Sequence, residues 1–144
     1  MQPVLYAEDD ENDQFFLRLA FQDAGVANPL QTVGDGELAI QYLSGAGVYA
    51  DRTQYPLPCL VLLDIKMPRK TGLDVLKWIR TTPAMSVLPV VMLTSSAAEA
   101  DIHRAYLQGA NGYLAKPNSP DQLLAMVKSI KDFWLAQNRT ATLS

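Results

Sequence analysis

Five short apolar runs recur along the chain, and a segment with helical spacing follows each of them. The central runs are continuous rather than alternating, which is typical of strands buried on both faces of a parallel sheet. Five strand–helix units in succession predict an α/β fold, with one parallel sheet between two layers of helices. Right-handed crossovers favour a flavodoxin-like, doubly wound sheet with strand order 2-1-3-4-5 and five helices. The five runs lie at 4–7, 30–33, 60–63, 90–93 and 112–115.

The helical segments carry signals for their buried faces and their starts. Ser96 and Glu99 have the spacing of a capping box, which predicts the start of the fourth helix. Residues 45–58 lack periodicity and predict a long loop, interpreted as a tolerated surface insertion in preference to a functional loop. The first helix is predicted to bury one apolar face, formed by Phe16, Leu17, Ala20, Phe21 and Ala24. The last is predicted to bury Leu123, Val127, Ile130 and Trp134.

The length of 144 residues predicts one domain over residues 1–138, followed by a flexible polar tail at 139–144. The net charge of −3 argues against a protein that binds nucleic acid non-specifically, because such a protein needs a basic surface. No apolar run approaches the roughly 20 residues of a membrane span, so no membrane association is expected. A single cysteine, Cys59, excludes an internal disulfide and favours the reducing cytoplasm.

Polar residues whose side chains could take part in binding or catalysis follow the predicted strands. Glu8 and Asp9 follow the first strand, Asp64 the third, Thr94 the fourth and Lys116 the fifth. The carboxyl ends of parallel strands meet at one edge of the sheet, so these side chains are expected to lie together. Three carboxylates repel unless a cation lies among them, and such hard oxygen donors suit Mg²⁺. Lys116 and Thr94 would then bind a phosphoryl group, and Asp64 is the candidate nucleophile that accepts it.

These residues belong to motifs that resemble the receiver domain of two-component response regulators, of the stand-alone chemotaxis type. The resemblance covers essentially the whole chain. The 45–58 loop and the segment at 132–138 are similar to the subgroup related to cyanobacterial phytochrome response regulators. The matching motifs are AEDD at 7–10, LLDIKMP at 62–68 followed by Gly72, LTS at 93–95 and GYLAKP at 112–117.

The resemblance implies a role for each residue of the site. Asp64 would be the phosphoacceptor, and Mg²⁺ would be held by Glu8, Asp9, Asp64 and the backbone carbonyl of Lys66. The donor would be a sensor histidine kinase or a histidine phosphotransfer protein.

The resemblance also implies a conformational switch. Thr94 and Tyr113 would form the switch pair. Lys116 would bind the phosphoryl group, with a cis peptide bond to Pro117 that turns the lysine side chain into the site.

The function implied is that of a single-domain response regulator, a phosphoacceptor and not a turnover enzyme, which signals by changing its binding to a downstream protein target. One alternative is a degenerate receiver that binds partners without phosphorylation. A less favoured alternative is an aspartyl-nucleophile phosphohydrolase, because the position two residues after Asp64 is Lys66 rather than the aspartate such enzymes use as acid and base. A homodimer is a further hypothesis, motivated by apolar residues of the fourth and fifth helical segments: Tyr106, Leu107, Phe133 and Leu135.

Overall fold

The computed structural model describes residues 1–143, in which five strands alternate with five α-helices. All strand pairs are parallel and the sheet order is β2-β1-β3-β4-β5, which confirms the predicted fold class and topology. The strands are β1 Val4–Ala7, β2 Leu30–Val33, β3 Leu60–Leu63, β4 Val90–Thr94 and β5 Gly112–Ala115. The helices are α1 Glu11–Asp23, α2 Gly36–Ser44, α3 Gly72–Thr81, α4 Glu99–Leu107 and α5 Pro120–Asp132.

Two apolar layers cover the sheet, one on each face. Side chains alternate along a strand, so each central strand supplies both layers. In β3, Val61 and Leu63 pack with α2, α3 and α4, whereas Leu60 and Leu62 pack with α1 and α5. The strands β1, β3 and β4 are wholly buried, which explains why their sequences are continuous apolar runs.

The buried face of α1 is narrower than predicted. Leu17, Ala20 and Phe21 are buried, but the Phe16 residue is 48% exposed, so the prediction that it faces the core is wrong. Neighbouring residues of an α-helix point about 100° apart, and the face centred on Leu17 and Phe21 leaves Phe16 at its margin. The Phe16 ring packs edge-on against Phe15 instead, with ring centroids 5.5 Å apart.

The start of α4 also differs from its prediction. The helix begins at Glu99 with Ala98 as its N-cap, and no side chain caps it. The predicted capping box is wrong because the segment after β4 stays non-helical to Ala98, which leaves Ser96 two residues upstream of the cap. The Ser96 hydroxyl instead donates to Oδ2 of Asp101 at 2.6 Å and so ties this segment to the first turn of α4.

The loop at 45–58 is anchored to the end of α2. The guanidinium of Arg52 donates to the carbonyl oxygens of Tyr42 at 2.7 Å and Tyr55 at 3.2 Å. The rings of Tyr42, Tyr49 and Tyr55 pack against one another, with centroids 5.0–5.9 Å apart. The loop joins the end of α2 to the beginning of β3, so it lies at the amino-terminal edge of the sheet.

A π-helix at Phe133–Gln137 continues α5, and its Trp134 packs partly buried against the α1–α5 layer. Leu143 packs partly buried against the opposite layer. The division into a domain at 1–138 and a tail at 139–144 stays a prediction, and Ser144 lies outside the described residues. Among the described helices, none has the length and apolar character needed to cross a membrane.

Candidate functional site

Two buried carboxylates lie side by side at the carboxyl-terminal edge of the sheet. The register pairs Ala7 of β1 with Leu63 of β3, so the residues that follow them, Glu8 and Asp64, are neighbours. Glu8 is 1% exposed and Asp64 is 6% exposed. The Asp64 N–H donates to the Ala7 carbonyl oxygen at 3.2 Å, which extends the ladder by one residue and fixes the Asp64 backbone.

The ammonium of Lys116 binds three carboxylates. It donates to Oε1 of Glu8, to Oδ2 of Asp64 at 3.0 Å and to Oδ2 of Asp13 at 2.8 Å. The lysine backbone is held by its own N–H, which donates to the Thr94 carbonyl oxygen at 2.8 Å. Asp13 is a contact that the sequence interpretation missed. The signal for it is its position: α1 begins directly after β1, so its first turn lies at the same edge as Glu8.

Glu8, Asp9 and Asp64 form a set of oxygen donors that fits a divalent cation. One carboxylate oxygen from each lies within 4.8 Å of the others. Glu8 is oriented by the Tyr6 hydroxyl, which donates to its Oε1 at 3.1 Å, while Oδ1 of Asp64 accepts the Lys66 N–H at 3.4 Å. Hard carboxylate oxygens, few in number and partly open to water through the exposed Asp9, match the preference of Mg²⁺.

The pKa values of the cluster move in opposite directions. Burial, with the nearby charge of Asp64, raises the pKa of Glu8 to about 7, although hydrogen bonding to Lys116 partly offsets this. Burial alone would raise the pKa of Asp64, but the nearby Thr94 hydroxyl and the Lys116 ammonium hold it below its ordinary value. Burial alone would lower the pKa of Lys116, but its carboxylate partners raise it. Asp64 is therefore ionised and Lys116 charged at neutral pH.

The two predicted switch residues both contact Ser96. Thr94 is buried at the end of β4, and its hydroxyl oxygen accepts the Ser96 N–H at 3.4 Å. Tyr113 lies on β5, and its hydroxyl donates to the Ser96 carbonyl oxygen at 2.8 Å. The Thr94 hydroxyl also lies near the Asp64 carboxylate, whereas the Tyr113 hydroxyl contacts the loop that follows β4.

The peptide bond between Lys116 and Pro117 is trans, as are the other peptide bonds among residues 1–143. The prediction of a cis bond is wrong. A trans bond is the lower-energy form even before proline, and the four-carbon side chain of Lys116 reaches the carboxylates from it.

The loop from Asp64 to Gly72 requires a glycine at its end. A Cβ at Gly72 would overlap the carbonyl oxygen of Asp64, and the Gly72 N–H donates to the Ile65 carbonyl oxygen at 2.9 Å. Because the chain returns so close to Asp64, α3 begins next to the backbone of the candidate acceptor. It explains physically why the sequence places Gly72 eight residues after Asp64.

The sequence matches the response regulator receiver domain family over residues 4–128. Response regulator Rcp1 of Synechocystis sp. is 33% identical over 132 residues, which cover 92% of this chain and 88% of Rcp1. The crystal structure of the Mn²⁺-bound form of Rcp1 superposes with a TM-score of 0.87 at 31% identity, covering 99% of this chain and 100% of that chain.

Two further crystal structures share the whole fold. The phosphorylated cyanobacterial phytochrome response regulator RcpA has a TM-score of 0.89 at 33% identity and covers 99% of this chain and 100% of its own. Response regulator RPA3017, from red light signalling in R. palustris, has a TM-score of 0.93 at 34% identity, with 99% of both chains covered.

These similarities confirm the predicted resemblance to stand-alone receivers of the phytochrome response regulator type. The family match extends from the first residue of β1 well into α5, and the strand order is the one predicted for a receiver. This chain therefore belongs to the response regulator receiver domain family.

Proposed function

We propose that this chain is a single-domain response regulator of a two-component phosphorelay, in which Asp64 accepts the phosphoryl group. The observation that carries the proposal is the Asp64 carboxylate itself. It is buried, ionised and bound to Lys116, and it lies beside two further carboxylates suited to a divalent cation. Receiver-family membership and the phosphorylated relative RcpA support the same assignment.

Each residue of the site has a part in phosphoryl transfer. An Asp64 oxygen forms a bond to phosphorus while the bond from phosphorus to the donor's imidazole nitrogen breaks. That nitrogen leaves with the electron pair and takes up a proton from water. The Lys116 ammonium and the Thr94 hydroxyl donate hydrogen bonds to the phosphoryl oxygens, whose charge would otherwise be repelled by the site.

Glu8, Asp9, Asp64 and the carbonyl of Lys66 would hold Mg²⁺, which supplies positive charge to the phosphoryl oxygens during transfer. The grouping of the three carboxylate oxygens supports this assignment. The Mn²⁺-bound form of the relative Rcp1 also supports a divalent cation.

Signalling would follow from the two residues that contact Ser96. To donate to a phosphoryl group, the Thr94 hydroxyl would turn away from the Ser96 N–H, which would free the loop after β4. Tyr113 would then exchange its contact with the Ser96 carbonyl oxygen for the space that Thr94 leaves. A downstream protein that binds only one of the two arrangements would sense phosphorylation.

The proposed partners are a sensor histidine kinase or a histidine phosphotransfer protein upstream and a protein target downstream, all meeting in the cytoplasm. A donor protein has an exposed apolar surface to contact beside the site. A groove of about 310 Å³ runs between α1 and the start of α5, and Phe16, Leu19 and Lys116 are among the residues that line it.

The homodimer is the second part of the partner proposal. Leu107 is 73% exposed on α4, and Tyr106 and Phe133 are also exposed. Leu135, the fourth residue of the hypothesis, is instead partly buried against the α1–α5 layer. Light scattering with and without the phosphate mimic beryllofluoride tests this hypothesis. A monomer under both conditions would contradict it.

Mass spectrometry of the intact protein tests the phosphoacceptor. Incubation with Mg²⁺ and acetyl phosphate should add one phosphoryl group to the wild type and none to Asp64→Asn. Labelling of both proteins would show that a residue other than Asp64 is the acceptor. Absence of labelling together with failure to bind beryllofluoride would favour a receiver that binds partners without phosphorylation, and sustained release of phosphate from small substrates would favour a phosphohydrolase.

A further inference from the structure

The three N–H donors of the Lys116 ammonium have three different carboxylate acceptors. Two of these, Glu8 and Asp64, belong to the buried pair at the strand ends. The third is Asp13, whose Oδ2 lies 2.8 Å from Nζ of Lys116. The Lys116 side chain is only 15% exposed, so its charge depends on these partners rather than on water.

Asp13 differs from the other two acceptors in its location. It lies on α1 and its side chain is 41% exposed, whereas Glu8 and Asp64 are buried on the sheet. Asp13 also stands apart from the grouped oxygens of Glu8, Asp9 and Asp64 that fit a cation.

The backbone of Asp13 is held in place by the start of the helix. Oδ1 of the N-cap residue Asp10 accepts the N–H groups of Asn12 at 2.8 Å and Asp13 at 3.1 Å. The carboxylate of Asp13 is therefore presented to Lys116 by a fixed helical turn, not by a flexible loop.

We propose that Asp13 is a positioning residue that holds the Lys116 ammonium in place while Asp64 accepts a phosphoryl group. The inference rests on the proposed function of Asp64. Glu8 and Asp64 turn to other partners when a cation and a phosphoryl group are bound, and Asp13 is the acceptor that stays with Lys116. One N–H held by Asp13 directs the other two towards the phosphoryl oxygens, which a freely rotating ammonium would not do.

Acetyl phosphate provides a donor that needs no partner protein. An Asp64 oxygen forms the new bond to phosphorus, the bond from phosphorus to the acetyl oxygen breaks, and acetate leaves with the electron pair. Asp13→Asn should slow this labelling about tenfold, the loss expected from one charge-assisted hydrogen bond that aligns the reacting groups. Asp13→Glu keeps the carboxylate and should recover most of the rate.

Glu11→Gln is the matched control. Glu11 lies exposed in the same helical turn, and its substitution removes the same charge. A loss in Asp13→Asn no larger than in Glu11→Gln would overturn the proposal, because a general effect of charge would then explain both.

A double-mutant cycle tests whether Asp13 acts through Lys116. In a Lys116→Ala background, Asp13→Asn should change the labelling rate by less than about twofold. A full additional loss there would overturn the proposal. Wild-type protein that takes no phosphoryl group would instead overturn the proposed function and, with it, any part of Asp13 in transfer.

NMR spectroscopy can follow the contact between Asp13 and Lys116 without phosphoryl transfer. The ¹H–¹⁵N signal of the Lys116 ammonium should be visible in the cation-free wild type and in cation-free Asp13→Asn, since Glu8 and Asp64 still hold it. With Mg²⁺ and the phosphate mimic beryllofluoride both added, the signal should persist in the wild type and in Asp13→Glu but be lost in Asp13→Asn. An equally strong signal in Asp13→Asn under these conditions would overturn the proposal.

Discussion

Nζ of Lys116 lies 3.0 Å from Oδ2 of Asp64, although 52 positions separate the two residues in the sequence. Strand β4 lies between the strands that carry them, so the lysine side chain crosses the end of β4 to reach the carboxylate. The long side chain of Lys116 thus places an ammonium next to a carboxylate that lies on the other side of β4. The contact depends on all three strands ending at the same edge.

Removing the Lys116 charge should destabilise the cation-free protein. Lys116→Met keeps much of the side-chain volume but leaves the buried Glu8 and Asp64 without a cation, and we expect a loss of about 3 kcal/mol in the free energy of unfolding. Urea unfolding without divalent cations measures this. Lys77→Ala, at an exposed position on α3, should change it by less than about 0.5 kcal/mol. Equal stabilities for the two variants would contradict the prediction.

Mg²⁺ binding should release protons and weaken at acidic pH. Burial raises the pKa of Glu8 to about 7, so below that pH the cation-free protein carries a proton that an ionised carboxylate ligand must lose. We therefore expect affinity to fall as pH falls through about 7, by up to tenfold per pH unit. Calorimetry in buffers of different ionisation enthalpy measures the proton release, which Glu8→Gln should abolish. The same release from that variant would assign the proton to another group.

Gly72→Ala should damage both stability and labelling of Asp64. The added Cβ meets the Asp64 carbonyl oxygen, so the loop must shift, at an expected cost of about 3 kcal/mol in the free energy of unfolding. Gly34→Ala is the matched control, because a Cβ there meets nothing within 4 Å. Thermal unfolding and acetyl phosphate labelling of both variants provide the comparison. A Gly72→Ala protein that behaves like Gly34→Ala would show that the loop accommodates the methyl group.

Arg52→Ala should loosen the 45–58 loop without changing the chemistry at Asp64. The variant loses the guanidinium hydrogen bonds to carbonyl oxygens at the end of α2 and in the loop, worth about 2 kcal/mol together. Limited proteolysis should then cut within 45–58 faster than in the wild type, while the rate of acetyl phosphate labelling stays the same. A slower labelling rate would connect the loop to the site.

Continuous apolar runs that alternate with helical segments were sufficient to predict the sheet. A strand buried on both faces must be apolar throughout, so its sequence is easily recognised. The grouping of Glu8, Asp64 and Lys116 followed from the sheet alone, since parallel strands end at one edge. The site residues that follow strands were therefore accessible to sequence reasoning.

The contacts that were not predicted depend on the residue at which a helix begins and on how far a side chain extends. The start of α1 directly after β1 places Asp13 at the edge that carries Glu8, but its contact with Lys116 depends also on the direction in which α1 leaves the sheet. Ser96 has the spacing of a cap, but the N-cap of α4 is Ala98, two residues later, and the Ser96 hydroxyl donates to Asp101 instead. Phe16 is apolar yet lies at the margin of the buried face.

The anchored loop at 45–58 lies at the edge of the sheet opposite Asp64, and four-residue strands separate those edges by roughly 13 Å. Insertions or deletions in this loop should therefore leave the carboxylates of the site in place. A fluorescent protein joined at the exposed Val48 would therefore label the receiver without disturbing the chemistry at Asp64. The same separation makes the loop a suitable attachment point for tags and surface anchors.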